Sequence, residues 1–466
     1  MLAAMPQPPS AASRDEPVIR ERGDACPGAL RLHAADDGFL ARVRIPGGLL
    51  GGDAARLLAD AADRLGDGHL DLTSRGNVQL RGLGASCGGE LAGLLADAGL
   101  LPAPTHERVR NVVCSPLTGL DGRGLPDVSA WVPELDRLLC ASDAAAALSG
   151  RFLFALDDGR GDVTSLAADV NLTAHGADRA VLWAGEDPRE AVLVSAQDGP
   201  RAALTAAEYF LDAVRDAGTK AWRVAELPPE HALTREELVR RLAAAGIGSV
   251  AAADTPRGDG RPPEPGIVAG PEFATVDDIV GLSVLAPLGR LTTRQWRQLA
   301  ALTGRVRLTP WRGIVVPGLP AREAARALDG LADAGLVTEA DSAWRSVTAC
   351  TGKPGCAKSL ADVRADARAV MGRARGPLAV HWSGCERRCG HPRGAAWVDL
   401  VATPAGYDLR VEGRAPRLGV PDHELAPALA DARQYVRQAA RAERAARAPH
   451  HPLVLEDAQP DDPAQK

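Results

Sequence analysis

Aromatic side chains are scarce: Phe, Trp and Tyr make up 3% of the sequence. Stacking platforms for single-stranded nucleic acid need several such rings, so that class of partner is excluded. Positive charge is not in excess either. A formal net charge of −6 gives no general attraction to nucleic acid or to an anionic membrane. No apolar run is long enough to cross a bilayer. The opening Met-Leu-Ala-Ala-Met-Pro-Gln-Pro-Pro lacks the basic start and long apolar stretch of a secretory signal. The expectation is a cytoplasmic protein with neither a membrane nor a nucleic-acid partner. Its 466 residues, 45% hydrophobic and 24% charged, imply roughly two to four globular domains.

Cysteine is also rare, with eight in the chain, yet four of them form one pattern. Cys350 and Cys356 stand in T-A-C-T-G-K-P-G-C, and Cys385 and Cys389 in S-G-C-E-R-R-C-G-H-P. A C-x5-C pair followed by a C-x3-C pair supplies four thiolates from two tight turns, which suits a 4Fe–4S cluster. Gly352, Gly355, Gly384 and Gly390 let backbone amides approach it. Structural zinc is the alternative, although its knuckles favour shorter spacings than x5. Disulfides are a third, weakened by the absence of any sign of an oxidising compartment. Cys26, Cys87 and Cys140 read as ordinary thiols, and Cys114 as a packed one.

The chain repeats itself. L-T-S-R-G-N-V-Q-L-R-G-L at 72–83 aligns with L-T-P-W-R-G-I-V-V-P-G-L at 308–319, and L-A-D-A-G-L at 95–100 with L-A-D-A-G-L at 331–336. The offset of 236 residues carries on without a gap to place Cys114 on Cys350. A period this long means duplication of a whole domain. Each copy reads β-α-β-β-α, the order of a ferredoxin-like α+β unit. In the first, alternation over 39–45 predicts a strand, and Asp53 is expected to cap a helix running to Gly66. Strands near 69–73 and 78–80 and a helix over 90–98 follow. The second copy is expected to use 284–286, 293–302, 306–308, 314–316 and 321–334 in the same order.

These boundaries imply half-domain 1 over 26–110, a larger α+β domain over 111–224, half-domain 2 over 274–345 and a second larger domain over 346–448. Residues 225–273 are rich in Pro, Gly and Asp and read as a linker around one short helix at 234–245. Residues 1–25 and 449–466 read as disordered tails.

The copies differ in charge. Arg42 and Arg44 face away from the apolar side of their strand, and Ser283 and Leu285 replace them in the second copy. Arg75, Arg81, Arg110 and Arg151 also fall at the ends of elements. A lone arginine is usually a solvated charge, but several together can bind a polycarboxylate through charge-assisted hydrogen bonds.

R-V-R-I-P-G-G, L-T-S-R-G-N-V-Q-L-R-G, R-N-V-V-C-S-P and the two cysteine turns resemble, in order, the motifs of the nitrite and sulfite reductase family, over about residues 28–445. The resemblance implies two ferredoxin-like half-domains and two larger α+β domains with pseudo-twofold symmetry. It implies that Cys350, Cys356, Cys385 and Cys389 hold the 4Fe–4S cluster beside a tetrapyrrole site. One departure stands out. Where the reductases keep two lysines over the haem, this chain has Arg151 and Leu153.

That departure, and the R-G-D-A-C-P-G-A-L opening, are similar to the oxygen-dependent cobalamin-biosynthesis branch of the family. The branch implies that precorrin-3A takes the haem's place and that dioxygen hydroxylates it at C20, with lactone closure. It also implies a mononuclear non-haem iron and an external reductant, NAD(P)H through a ferredoxin or a reductase. Arg42, Arg75 and Arg110, then Arg44, Arg81 and Arg151, are the expected carboxylate contacts; the sequence assigns no catalytic residue. His381 and His391 are candidate iron ligands. A siroheme-dependent sulfite or nitrite reductase is the rival reading, and a non-catalytic electron-transfer or zinc protein a third.

Overall fold

The computed structural model describes residues 27–447 except 124, 256, 257, 259, 270–277 and 393–395, with side chains as far as 435. Cys26 and both expected tails lie outside the described residues. Contacts divide the described chain into two compact units: one runs to residue 345 and includes 354–357, and the other holds 346–353 and everything from 358.

Two five-stranded sheets of the first unit carry the repeat. One runs His33–Ala35, Gly38–Val43, Val78–Leu83, His69–Leu72, Arg290–Thr292; the other runs Gly266–Val268, Ile279–Leu285, Gly313–Pro320, Arg305–Leu308, Leu49–Gly51. Each copy therefore lends one short strand to the other's sheet. Leu49 stands opposite Arg307, and Arg290 opposite Asp71, in matching antiparallel registers. This reciprocal exchange gives the half-domains their pseudo-twofold relation.

Helices Gly52–Leu65 and Thr293–Thr303 follow the exchanged strands and pack on one another. The first buries Ala55, Leu58, Ala59, Ala61 and Ala62; the second buries Trp296, whose Nε1–H donates to the Ala55 carbonyl at 2.7 Å. The corner before each exchanged strand needs glycine. Gly48 has φ +70°, and a Cβ there would lie 2.0 Å from the Leu308 carbonyl oxygen. Asp53 proves not to be the helix cap. Gly51 holds that position, and Asp53 lies within the first turn and pairs with Arg56.

The remaining sheet of this unit has six strands, in the order Ser249–Ala251, Val192–Ser195, Arg179–Ala184, Val170–Ala174, Phe154–Asp157, Val112–Cys114. Part of the expected linker belongs to it. Thr234 caps the helix Arg235–Ala244, accepting from the Glu237 amide, and Leu238, Leu242 and Ile247 are buried in the same core as Phe210. Apolar side chains one helical turn apart give that segment a packing face, and Ser249–Ala251 then pairs as an edge strand.

The second unit is a five-stranded sheet, Val347–Ala349, Ala379–Ser383, Trp397–Thr403, Gly406–Arg410, Arg417–Val420, with helices Val363–Met371 and Asp422–Arg447. Its first three strands are parallel, as are Val112–Cys114, Phe154–Asp157 and Val170–Ala174 in the first unit. Arg433, fully buried, fastens the long helix by donating to the carbonyls of Leu378, Ala374 and Gly376. Among the described residues no helix is long and apolar enough to cross a membrane.

Candidate functional site

Parallel strands end at one edge, where loops are placed to bind ligands. In the second unit, Cys350 directly follows strand Val347–Ala349, and Cys385 lies just beyond Ala379–Ser383. The two turns are tied together. The Cys350 amide donates to the Trp382 carbonyl at 2.9 Å, and the Gly384 amide donates to the Cys350 sulfur at 3.2 Å. An amide aimed at a cysteine sulfur stabilises the thiolate. A side chain at Gly384 would collide with the Ser359 hydroxyl, 1.8 Å from its ideal Cβ, and Gly352 has φ +70°. Arg388 too takes a positive φ, 47°, and pairs with Asp399 at 3.2 Å, shaping the C-x3-C turn.

Cys350 and Cys385 are half-buried and Cys389 is exposed; no disulfide joins the described cysteines. Cys356 is half-buried on the 354–357 stretch, which packs in the first unit: Gly355 accepts from Arg81 at 3.1 Å, and the Ala357 amide donates to Asp36. Among the described residues, no group of three or more His, Cys, Asp or Glu side chains is gathered to hold a metal ion. The donor chemistry suits an iron–sulfur cluster, with soft sulfur ligands on glycine-bearing turns and an amide directed at one of them.

The two histidines differ. His381 is buried on its strand with Nδ1 2.7 Å from the Thr348 hydroxyl. His391 is exposed and stacks on Trp397, ring centroids 5.8 Å apart.

The first unit has the same pair of turns after parallel strands and fills them with charge. Cys114 ends the first strand, and burial pushes its thiol pKa up. In the D-D-G-R-G-D turn after Phe154–Asp157, Arg160 pairs with Asp158 at 2.7 Å and with Asp121 at 2.9 Å. Asp162 accepts from the Ser115 hydroxyl at 2.7 Å. Burial, with Asp157 adding to it, raises the Asp162 carboxyl to about 7. This buried network escaped sequence reasoning; the run of four charges among two glycines was its signal.

The arginines separate into distinct roles. Arg44 and Arg75 converge on one carbonyl, that of Gly150, at 3.4 and 3.2 Å. Asn111 donates to the same oxygen at 3.2 Å and to Phe152 at 3.0 Å. Asn77 donates to Asn111 at 3.1 Å and accepts from the Ile45 amide at 2.9 Å. Three motif segments thus meet around the Ser149–Gly150–Arg151 turn. Arg42 is half-buried and donates to its cross-strand neighbour Gln79 at 3.0 Å. Arg151 is exposed and lies over the Trp222 ring, 4.8 Å from its centroid.

Arg81 and Arg110, as buried as Arg44, are instead held in two-pronged ion pairs. Arg81 grips Asp37 at 2.8 and 2.7 Å, and Arg110 grips Asp136 at 2.7 Å on both prongs while also donating to Leu100. A carboxylate of the chain already neutralises each. Leu153, where a second lysine was the point of comparison, is buried in a small apolar cluster with Val113 and Ala155.

A family model for the nitrite/sulfite reductase ferredoxin-like half domain matches residues 32–86 and 275–334, the two copies of the repeat. A precorrin-3B synthase from Sinorhizobium sp. is 28% identical over 442 residues, 90% of each chain. The ferredoxin–nitrite reductase of Synechococcus elongatus is 27% identical over 388 residues, 76% of this chain and 74% of the relative. The structure of the NirA protein of Mycobacterium tuberculosis superposes with a TM-score of 0.56 at 19% identity, covering 84% of this chain and 79% of that one. With the strand exchange and the paired half-domains, these likenesses identify the chain as one of nitrite/sulfite reductase-like architecture that resembles precorrin-3B synthase.

Proposed function

We propose that the chain is an oxygen-dependent tetrapyrrole hydroxylase of the precorrin-3B synthase type. Leu153 carries the reading: a small oxyanion undergoing multi-electron reduction needs cationic donors to neutralise charge and deliver protons, and here one of two such positions is an apolar core residue. The 90% coverage of both chains in the precorrin-3B synthase comparison supports it. The substrate is precorrin-3A. One atom of dioxygen goes to C20, a ring A acetate closes a lactone, and the other atom leaves as water after two electrons and two protons arrive from the reductant.

Cys350, Cys356, Cys385 and Cys389 are proposed to hold a 4Fe–4S cluster, which when bound supplies the path for single electrons. The Gly384 amide, donating to the Cys350 sulfur, holds that side chain in place at the proposed cluster. Arg44 and Arg75, fixed by Gly150, orient the macrocycle through its carboxylates, with Arg42 and Arg151 flanking them. Arg81 and Arg110 serve the proposed site by holding its walls, each through its aspartate. No residue among the described ones is assigned to a mononuclear iron. Dioxygen uptake by the purified protein, dependent on both reductant and precorrin-3A, tests the proposal. Siroheme-dependent nitrite reduction is the second reading, favoured by the nitrite reductase relative; sharp siroheme bands in the visible spectrum, with ammonia formed from nitrite, would establish it instead.

A further inference from the structure

The two exchanged strands occupy equivalent registers, so the cross-strand pair Arg290–Asp71 in one sheet corresponds to Leu49–Arg307 in the other. The first pair closes its corner with charge: Arg290 reaches Asp71 at 3.1 Å and Asp67 at 2.6 Å. In the second, leucine replaces the arginine and arginine replaces the aspartate. No ion pair forms there among the described residues, and a cavity of about 590 Å³ lies beside it.

Leu49, Leu50, Val280 and Val306 line the cavity together with Arg305 and Arg307. The two arginines alternate along strand Arg305–Leu308 and so share a face. Arg307 is anchored by one nitrogen, Nη1, which donates to the carbonyls of Pro116 and Thr118 at 3.0 and 2.7 Å. Burial lowers its pKa; Cys114 and Asp127 offset part of that effect and the like charge of Arg305 adds to it, so a further anion beside the two arginines would act against both burial and repulsion. Apolar walls with two cations on one face suit a molecule that has an apolar body and an acidic end.

We propose that this cavity is a binding site for an amphipathic carboxylate, separate from the arginine turn around Gly150. A guanidinium fork beside an aliphatic wall recognises the carboxylate end and the apolar body at once.

The probe is 1-pyrenebutyrate, with uncharged 1-pyrenebutanol as its control, each titrated by fluorescence into the full chain. The acid is expected to bind at one site, on the order of tenfold or more tighter than the alcohol. Arg305→Gln, at an exposed position, should remove most of that preference. So should the double variant Leu49→Arg with Arg307→Asp, which rebuilds the ion pair of the other sheet. Arg75→Ala should leave it intact. Equal binding of acid and alcohol, or of neither, overturns the proposal. So does a preference that survives Arg305→Gln or disappears in Arg75→Ala. If the double variant fails to fold, Arg305→Gln decides alone.

Discussion

Arg110 and Arg75 carry the same charge in the same half of the chain and do different work. Arg110 is bound on both prongs by Asp136. Removing it leaves a largely buried carboxylate without its partner, so Arg110→Ala should destabilise the protein by about 3–5 kcal/mol in chemical denaturation. Arg75→Ala should instead leave stability near wild type and weaken tetrapyrrole binding by roughly 1.5–3 kcal/mol, measured by titration. The sequence displays both arginines but not this difference, because Asp136 lies on a different element and the pairing exists only after folding. Asp162 gives a pH signature of its own. Its carboxyl, raised to about 7 by burial, binds protons in the folded state where the unfolded chain has released them. Stability should therefore fall as pH rises from about 4 to 7. Asp162→Asn should flatten the curve in that window; an unchanged slope would assign it to other groups.

At the scale of elements, the exchange of short strands holds the two half-domains together, and glycine makes the corner possible. Gly48→Ala places a methyl against the Leu308 carbonyl at a positive φ. It should cost at least roughly 2 kcal/mol, read as a lowered thermal midpoint. At the far end of the other exchanged strand, Thr292 and Gln295 form a capping box where the first copy has Gly51, and Thr292→Ala should cost about 1 kcal/mol. The repeat itself was legible, since its offset persists from Leu72 to Cys114 and each helix keeps its apolar face. The exchange was not. Leu49–Gly51 and Arg290–Thr292 are three residues long, too short for any period, and their partners lie more than 200 residues away in the chain. The stretch around 234–251 misled for a related reason: Pro and Gly on its flanks read as a linker, while Leu238 and Leu242 fix the helix to the core.

For the whole molecule, duplication followed by divergence explains the distribution of chemistry. Both larger domains present two turns beyond parallel strands. One copy fills them with Asp158, Arg160 and Asp162, and the other carries cysteines there. The motif spacing made the cysteines conspicuous; the charged counterpart needed the strands to be aligned before it could be recognised. Cys385→Ser should lose the iron and sulfide content of the anaerobically purified protein along with its broad visible absorbance, while full retention would remove that residue from the cluster. The most direct test of the central claim is mass analysis after anaerobic reconstitution, addition of reductant and precorrin-3A, and exposure to isotopically labelled dioxygen. The account predicts a product one labelled oxygen atom heavier than precorrin-3A, with no turnover of sulfite or nitrite. An unlabelled substrate, together with ammonia from nitrite or sulfide from sulfite, would contradict it.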